Sequence, residues 1–146
     1  MPHTAEQRLR DAGLRVTAPR VAVLRALDGA RDHPSVDQVI ARVRAAGTPI
    51  SVQGAYDACE ALMRAGLARR IEPAGGPARY ESRVGDNHHH LVCRACGAAA
   101  DVDCAAGHTV CMEPSDARGF RLDEVEVVYW GLCPDCQQTI DERNTA

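Results

Sequence analysis

Two Cys-x-x-Cys units, Cys93-Arg94-Ala95-Cys96 and Cys133-Pro134-Asp135-Cys136, stand 36 residues apart in a chain of 146. Each unit lets a tight turn aim two thiolates at one centre. Two units together complete the tetrahedral shell that Zn2+ prefers, with Zn–S of about 2.3 Å. The interval exceeds the roughly 15–20 residues of many zinc ribbons, so the metal is expected to staple the first strand of a second lobe to the later part of the chain. Structural Zn2+ in a small domain contributes roughly 10–16 kcal/mol. Reduced thiols paired by chance are a weaker reading, and so is a thioredoxin-like redox pair, because neither unit is expected to open a helix in a βαβ context. Cys59 lies on the apolar face of an expected helix and reads as a small buried hydrophobe. For Cys104 and Cys111 two readings stay open, a reversible disulfide or no chemistry at all.

The histidines cluster near the first of these units. His88-His89-His90 precedes Cys93 by three residues, and in an extended segment His88 and His90 point to one side and His89 to the other. His88 and His90 can therefore share a metal, provided other N or O donors converge on it. His33, Glu81 and Asp101 are candidates that spacing alone does not select.

These side chains must be positioned by short elements. Ala5 to Ala12 reads as a first helix ended by Gly13, and Thr17 caps a second carrying Val21, Leu24 and Leu27. Ser35 caps a third, on which Val36, Val39, Ile40 and Val43 fall at i, i+3, i+4 and i+7 before Gly47. Ser51 caps a fourth of about fifteen residues. That helix gathers Val52, Ala55, Cys59, Leu62 and Met63 on one face and Gln53, Asp57, Glu60 and Arg64 on the other. Two extended runs follow, Leu67 to Ile71 and Ala78 to Ser82, joined by Pro73-Ala74-Gly75-Gly76-Pro77. Helices followed by a hairpin give the order of a winged helix-turn-helix, whose last helix enters the major groove. Arg69, Arg70 and Arg79 on the hairpin suit flanking phosphates. Beyond Arg83-Val84-Gly85-Asp86-Asn87, read as a hinge, Leu91-Val92, Ala98 to Val102 and Val125 to Trp130 read as strands. Cys104 to Gly119 gives no clear signal.

Charge divides at the same place. Residues 1–83 hold 13 Arg against 9 Asp and Glu, a net of +4, whereas residues 84–146 hold 4 Arg against 11, a net of −7. A basic half joined to an acidic, Cys-rich half suggests a polyanion-binding module attached to a metal or redox module. No apolar run reaches the roughly 20 residues of a membrane span, and the first residues lack the apolar core of a secretory signal. A cytoplasmic location without membrane attachment is expected.

With these residues in hand, the chain resembles the ferric uptake regulator family across essentially its whole length. The resemblance rests on Gly13-Leu14-Arg15-Val16-Thr17-Ala18-Pro19-Arg20, His33-Pro34-Ser35-Val36-Asp37, Tyr56, Arg79-Tyr80-Glu81, the His88–His90 run and the two Cys-x-x-Cys units. The stretches 82–90 and 128–136 are most similar to its actinobacterial FurA/CatR branch, whose members repress catalase-peroxidase genes. The resemblance implies that His33, Glu81, His88, His90 and Asp101 form a regulatory metal site, beside a structural zinc on Cys93, Cys96, Cys133 and Cys136. In peroxide-sensing members Fe2+ reacts with hydrogen peroxide and a ligand imidazole is oxidised; by position His33 and His88 are the rings at risk. The donor set itself suits Fe2+, Mn2+, Ni2+ or Zn2+. Two departures stand out. A second N/O site elsewhere in the family has its places filled here by Asn87, His89, His108 and Val125, which argues against an ordinary second site. Many relatives carry Arg after the helix tyrosine, where Asp57 stands here.

The expected architecture is thus α+β. A winged helix-turn-helix over residues 1–83 precedes a small α/β dimerisation domain over residues 84–146 with a four-cysteine zinc site. The expected function is a homodimeric, metal-dependent repressor, responsive to iron and peroxide, that binds double-stranded operator DNA. Arg15 and Arg20 are expected on phosphates, Gln53 and Tyr56 near bases. The alternative within the family is a zinc- or nickel-responsive repressor. An enzyme is disfavoured: no Ser or Cys nucleophile sits beside a general base, and five protein ligands leave little room for a catalytic water.

Overall fold

The fold is described from a computed structural model, which describes residues 3–30, 32–73, 75–107 and 110–145. The elements run α1 (Ala5–Asp11), α2 (Ala18–Asp28), α3 (Val36–Ala45), α4 (Val52–Arg64), β1 (Arg69–Ile71), β2 (Arg79–Glu81), β3 (His88–Cys93), β4 (Ala99–Asp103), β5 (Val128–Gly131) and α5 (Pro134–Thr145). The chain divides into two compact units between Gly85 and Asp86.

In the first unit each of the four helices begins on a hydroxyl. Thr4, Thr17, Ser35 and Ser51 accept from the backbone N–H three residues on, which satisfies a donor the helix start would otherwise orphan. Ser35 goes further, because Gln38 returns its side-chain oxygen to the Ser35 N–H at 2.9 Å and closes a capping box. A Cβ on Gly54 would stand 2.9 Å from Ser51 Oγ, so a larger residue there would push the capping hydroxyl aside. The helices bury Leu9, Val23, Leu24, Leu27, Val39, Val43, Ala55, Cys59 and Leu62 in one cluster. A fully buried Leu or Val is worth about 1.5–3 kcal/mol, so this unit carries its own core. Cys59 is that core's small hydrophobe, and burial pushes its thiol up to about 11.

The antiparallel hairpin β1–β2 pairs Arg69 with Glu81 and Ile71 with Arg79. Tyr80 anchors it, being buried against the helical cluster. Both strands are shorter than the sequence suggests, and α4 spans 13 residues.

The second unit is a three-stranded sheet in the order β4-β3-β5. Strand β3 is antiparallel to β4 and parallel to β5. The parallel pairing requires a crossover, supplied by β4 and the segment after it; among the described residues, 104–107 and 110–127 form no helix or strand. Strand β3 begins at His88, earlier than the Leu91-Val92 expectation, because β4 pairs with it from His88 onward, while β5 joins only from His90. Helix α5 buries no side chain. The second Cys-x-x-Cys unit straddles its start, Cys133 just before the helix and Cys136 in its first turn.

Candidate metal centre

The four cysteines converge. Cys93 ends β3, and the turn after it closes when Gly97 N–H donates to Cys93 O at 3.0 Å, with Gly97 at φ 75°, a conformation that favours glycine. Ala98 N–H then donates to Cys96 Sγ at 3.4 Å. Cys133 immediately precedes α5 and Cys136 lies in its first turn, with Gln137 N–H on Cys133 O at 3.0 Å. The parallel pairing of β3 with β5, extended by Arg94 N–H on Gly131 O at 2.8 Å, brings the two turns together. All four sulfurs lie within 4.8 Å of one another. Cys96 Sγ and Cys133 Sγ are 3.7 Å apart, against an edge of about 3.8 Å for a tetrahedron with metal–sulfur bonds near 2.3 Å. The set therefore fits a tetrahedral thiophilic ion. Backbone N–H groups of Cys133 and Cys96 aimed at Cys93 hold its thiol down to about 6, whereas hydrogen bonding with the Cys133 and Cys96 sulfurs pushes Cys136 up to about 12. Four thiolates this close need a cation to lose all four protons.

The five N/O residues are preassembled as two half-sets, one in each unit. In the first unit, Tyr80 N–H donates to Pro34 O at 3.0 Å, and Ser35 bridges Arg79 in antiparallel sense. Continuing that register by two residues places His33 opposite Glu81, and His33 Nε2 lies 3.0 Å from Glu81 Oε2. Both side chains are buried. His33 occupies the left-handed region at φ 51°, which costs a residue with a Cβ roughly 1–2 kcal/mol. Strain of this kind gathers where geometry serves a site.

In the second unit the register His88↔Asp103 and His90↔Asp101 puts those four side chains on one face of the sheet. His90 Nε2 lies 3.5 Å and His88 Nε2 3.8 Å from Asp101 Oδ1, and the two rings meet edge-on at 5.1 Å. Metal–N and metal–O bonds of about 2.1 Å give donor–donor edges of about 3.0–3.4 Å, so His33 with Glu81 and His90 with Asp101 stand at or close to the spacing of first-row cation ligands, while His88 Nε2 has to move closer to join its half-set. His88 Nδ1 lies 2.9 Å from Asp86 Oδ1. A carboxylate there takes the Nδ1–H and leaves the Nε2 lone pair for a cation. Asp86 escaped the sequence reading, although an acid two residues before a candidate ligand histidine was its available signal.

The opposite face of the same sheet carries a third cluster. His89 Nε2 lies 3.2 Å from Cys111 Sγ, and Cys104 is within reach of both. His108 lies outside the described residues.

The residues expected to meet DNA all belong to the first unit. Gln53 and Tyr56 are exposed on α4, Tyr56 at 49%, so Tyr56 is not a boundary residue of the core. Gln53 Nε2 donates to Asp57 Oδ1 at 2.8 Å. Asp57 thus puts a carboxylate on this face and engages its neighbour's amide. Arg15 is exposed and Arg20 half-buried, with Arg20 Nη1 donating to Arg15 O at 2.9 Å.

Comparison with known proteins points in one direction. The sequence profile described as "Ferric uptake regulator family" matches residues 11–130. The chain is 58% identical over 136 residues to the transcriptional regulator FurA of Mycobacterium tuberculosis, covering 93% of this chain and 91% of that one. It is 52% identical over 133 residues to ferric uptake regulation protein 2 of Mycolicibacterium fortuitum, covering 90% and 91%. Among solved structures, the ferric uptake regulator of Pseudomonas aeruginosa with manganese superposes with a TM-score of 0.67 at 28% identity, over 90% of this chain and 99% of that one.

Proposed function

Because the chain belongs to the ferric uptake regulator family of metal-responsive transcriptional regulators, we propose that it is a homodimeric repressor whose hold on operator DNA depends on Fe2+ bound by His33, Glu81, His88, His90 and Asp101. Its targets are catalase-peroxidase or iron and oxidative-stress genes, and it acts in the cytoplasm. No helix among the described residues is long and apolar enough to cross a membrane.

One observation carries the reading: each unit holds an incomplete donor set, His33 with Glu81 in the first and His88 and His90 with Asp101 in the second. Neither half alone fills a first-row coordination shell. A cation that takes both fixes the angle between the units. In a twofold dimer that angle sets the spacing of two reading helices, which must match half-sites about one or more DNA turns apart. The exposed Leu91 and Tyr129, adjacent in register on the sheet, support a second copy as the covering partner. The relative from Pseudomonas aeruginosa holds manganese, and three imidazoles with two carboxylates suit Fe2+ equally. Held by these residues, Fe2+ would supply one-electron chemistry toward hydrogen peroxide, with His33 and His88 as the ligand rings exposed to oxidation by position. The four cysteines hold the structural Zn2+.

The first unit is the winged helix-turn-helix. Helix α4 enters the major groove with Gln53 and Tyr56 at the bases, while Arg15, Arg20 and the hairpin arginines lie along phosphates. Arg20→Ala is expected to weaken binding to every sequence and to lower the slope of log affinity against log salt by about 1 per subunit, since one fewer phosphate is neutralised. Affinity measured across a salt series checks this; an unchanged slope removes Arg20 from the interface.

The test of the whole reading is operator binding by protein carrying only its structural zinc, with Fe2+, Mn2+, Ni2+ or Zn2+ added in turn and each complex then challenged with hydrogen peroxide. Binding restored by Fe2+ or Mn2+, and abolished by peroxide in the Fe2+ complex alone, is the expected outcome. Activation by Zn2+ or Ni2+ alone, indifferent to peroxide, makes the protein a zinc- or nickel-responsive repressor instead.

A further inference from the structure

The sheet that carries His88 and His90 has a second face, and its chemistry differs. Register places His89 opposite Val102 in β4, and Cys104 N–H donates to Asn87 O at 3.3 Å just past the strand end. The ladder therefore continues one residue beyond β4, and alternation puts Cys104 on the face of His89, diagonal to it. Cys111 returns to the same place from the irregular segment after β4. His89 is 3% exposed although it sits mid-strand, its Nε2 is 3.2 Å from Cys111 Sγ, and its Nδ1 is buried without a hydrogen-bond partner among the described residues. An imidazole so placed costs about 1–3 kcal/mol compared with an apolar side chain, which a packing role would not require. Cys104 and Cys111 are both thiols.

We propose that His89 Nε2, Cys104 Sγ and Cys111 Sγ form a further cation site, distinct from the four-cysteine centre and from the N/O ligands, that takes one thiophilic metal ion such as Zn2+. The three donor atoms already lie within 4.8 Å of one another. A tetrahedral shell of one nitrogen and two sulfurs needs edges of about 3.5–3.8 Å, and the irregular backbone around Cys111 lets that side chain adjust. Two soft thiolates with one imidazole select Zn2+ or Cu+ over Fe2+ and Mn2+. Three protein ligands leave a fourth position open, as closed structural sites do not. The site answers to a different class of ion from the one proposed to govern DNA binding, and its existence does not depend on that proposal.

Co2+ is the probe, because thiolate ligands give it an intense charge-transfer band that nitrogen and oxygen ligands do not. Full-length reduced protein, carrying zinc on its four cysteines, is titrated with Co2+ without oxygen. A charge-transfer band saturating at one equivalent per chain is expected. It is expected to vanish in Cys104→Ser and in Cys111→Ser, and His89→Ala is expected to weaken Co2+ binding at least tenfold while keeping sulfur character. Retained structural zinc and an unchanged far-ultraviolet dichroism spectrum show that each variant is folded. Cys104 and Cys111 are both half-exposed, so both serine substitutions are gentler than the change at buried His89. Absence of the band in the wild type, its persistence in both serine variants, or a Cys104–Cys111 disulfide forming while cobalt uptake is nil would each overturn the assignment.

Discussion

Replacing Cys133 with serine is expected to strip one zinc from each chain and to unfold the unit that begins at Asp86, while the helices of the first unit stay folded. The asymmetry follows from where apolar surface is buried. The first unit packs a cluster from Ala5 to Tyr80 that includes four fully buried leucines. Among its described apolar residues the second buries only Val92, Cys93 and Ala99, and α5 buries none. A segment of this size with so little core needs a staple. Structural zinc supplies roughly 10–16 kcal/mol, more than the whole stability of a typical small domain. Serine offers no thiolate, so the tetrahedral shell opens at the corner where the parallel β3–β5 pairing meets α5. Metal content by elemental analysis and amide exchange across β3 and β4 measure the result. Wild-type zinc together with native protection of His88–Cys93 in the variant would show that packing, rather than metal, holds this sheet.

The first unit was legible because its signals are local. A hydroxyl that accepts from the backbone three residues ahead is visible as Thr17, Ser35 or Ser51 before an apolar helical period. The four-cysteine centre was legible for a similar reason, since each pair lies within one turn. The histidine run was harder. Nothing in the strand propensity of three consecutive histidines marks them as the centre of a sheet; β3 begins at His88 because β4 pairs with all three, and β5 joins only from His90. Alternation did separate His89 from its neighbours, but Cys104 joins its face only through the register of β4, and Cys111 arrives from a segment with no periodicity. His33 opposite Glu81 rests on a bridge between residues 44 positions apart, Ser35 and Arg79, and spacing cannot announce such a pair.

Replacing His90 with alanine is expected to uncouple DNA binding from the regulatory cation while leaving the four-cysteine zinc in place. His90 shares a sheet face with Asp101 and His88, and its side chain is 1% exposed. Removing it deletes a donor that no water can replace in the same geometry. Loss of a residue that merely orients a ligand costs about 10–100-fold in metal affinity. That is the range expected for Asp86→Asn, which leaves His88 without its carboxylate, and His90→Ala should lie beyond it. The consequence for DNA follows from linkage: the factor by which the cation tightens operator binding equals the factor by which operator tightens cation binding. A swing from about 1% to 99% competent would demand a differential affinity of roughly 10⁴. Operator affinity measured with and without saturating Mn2+ should therefore show a large ratio for the wild type, a ratio near one for His90→Ala at the same metal concentration, and recovery in Asp86→Asn as Mn2+ is raised. His90→Ala retaining the wild-type ratio would mean that the two half-sets do not share a cation, and the link between metal and operator would have to run through another part of the chain.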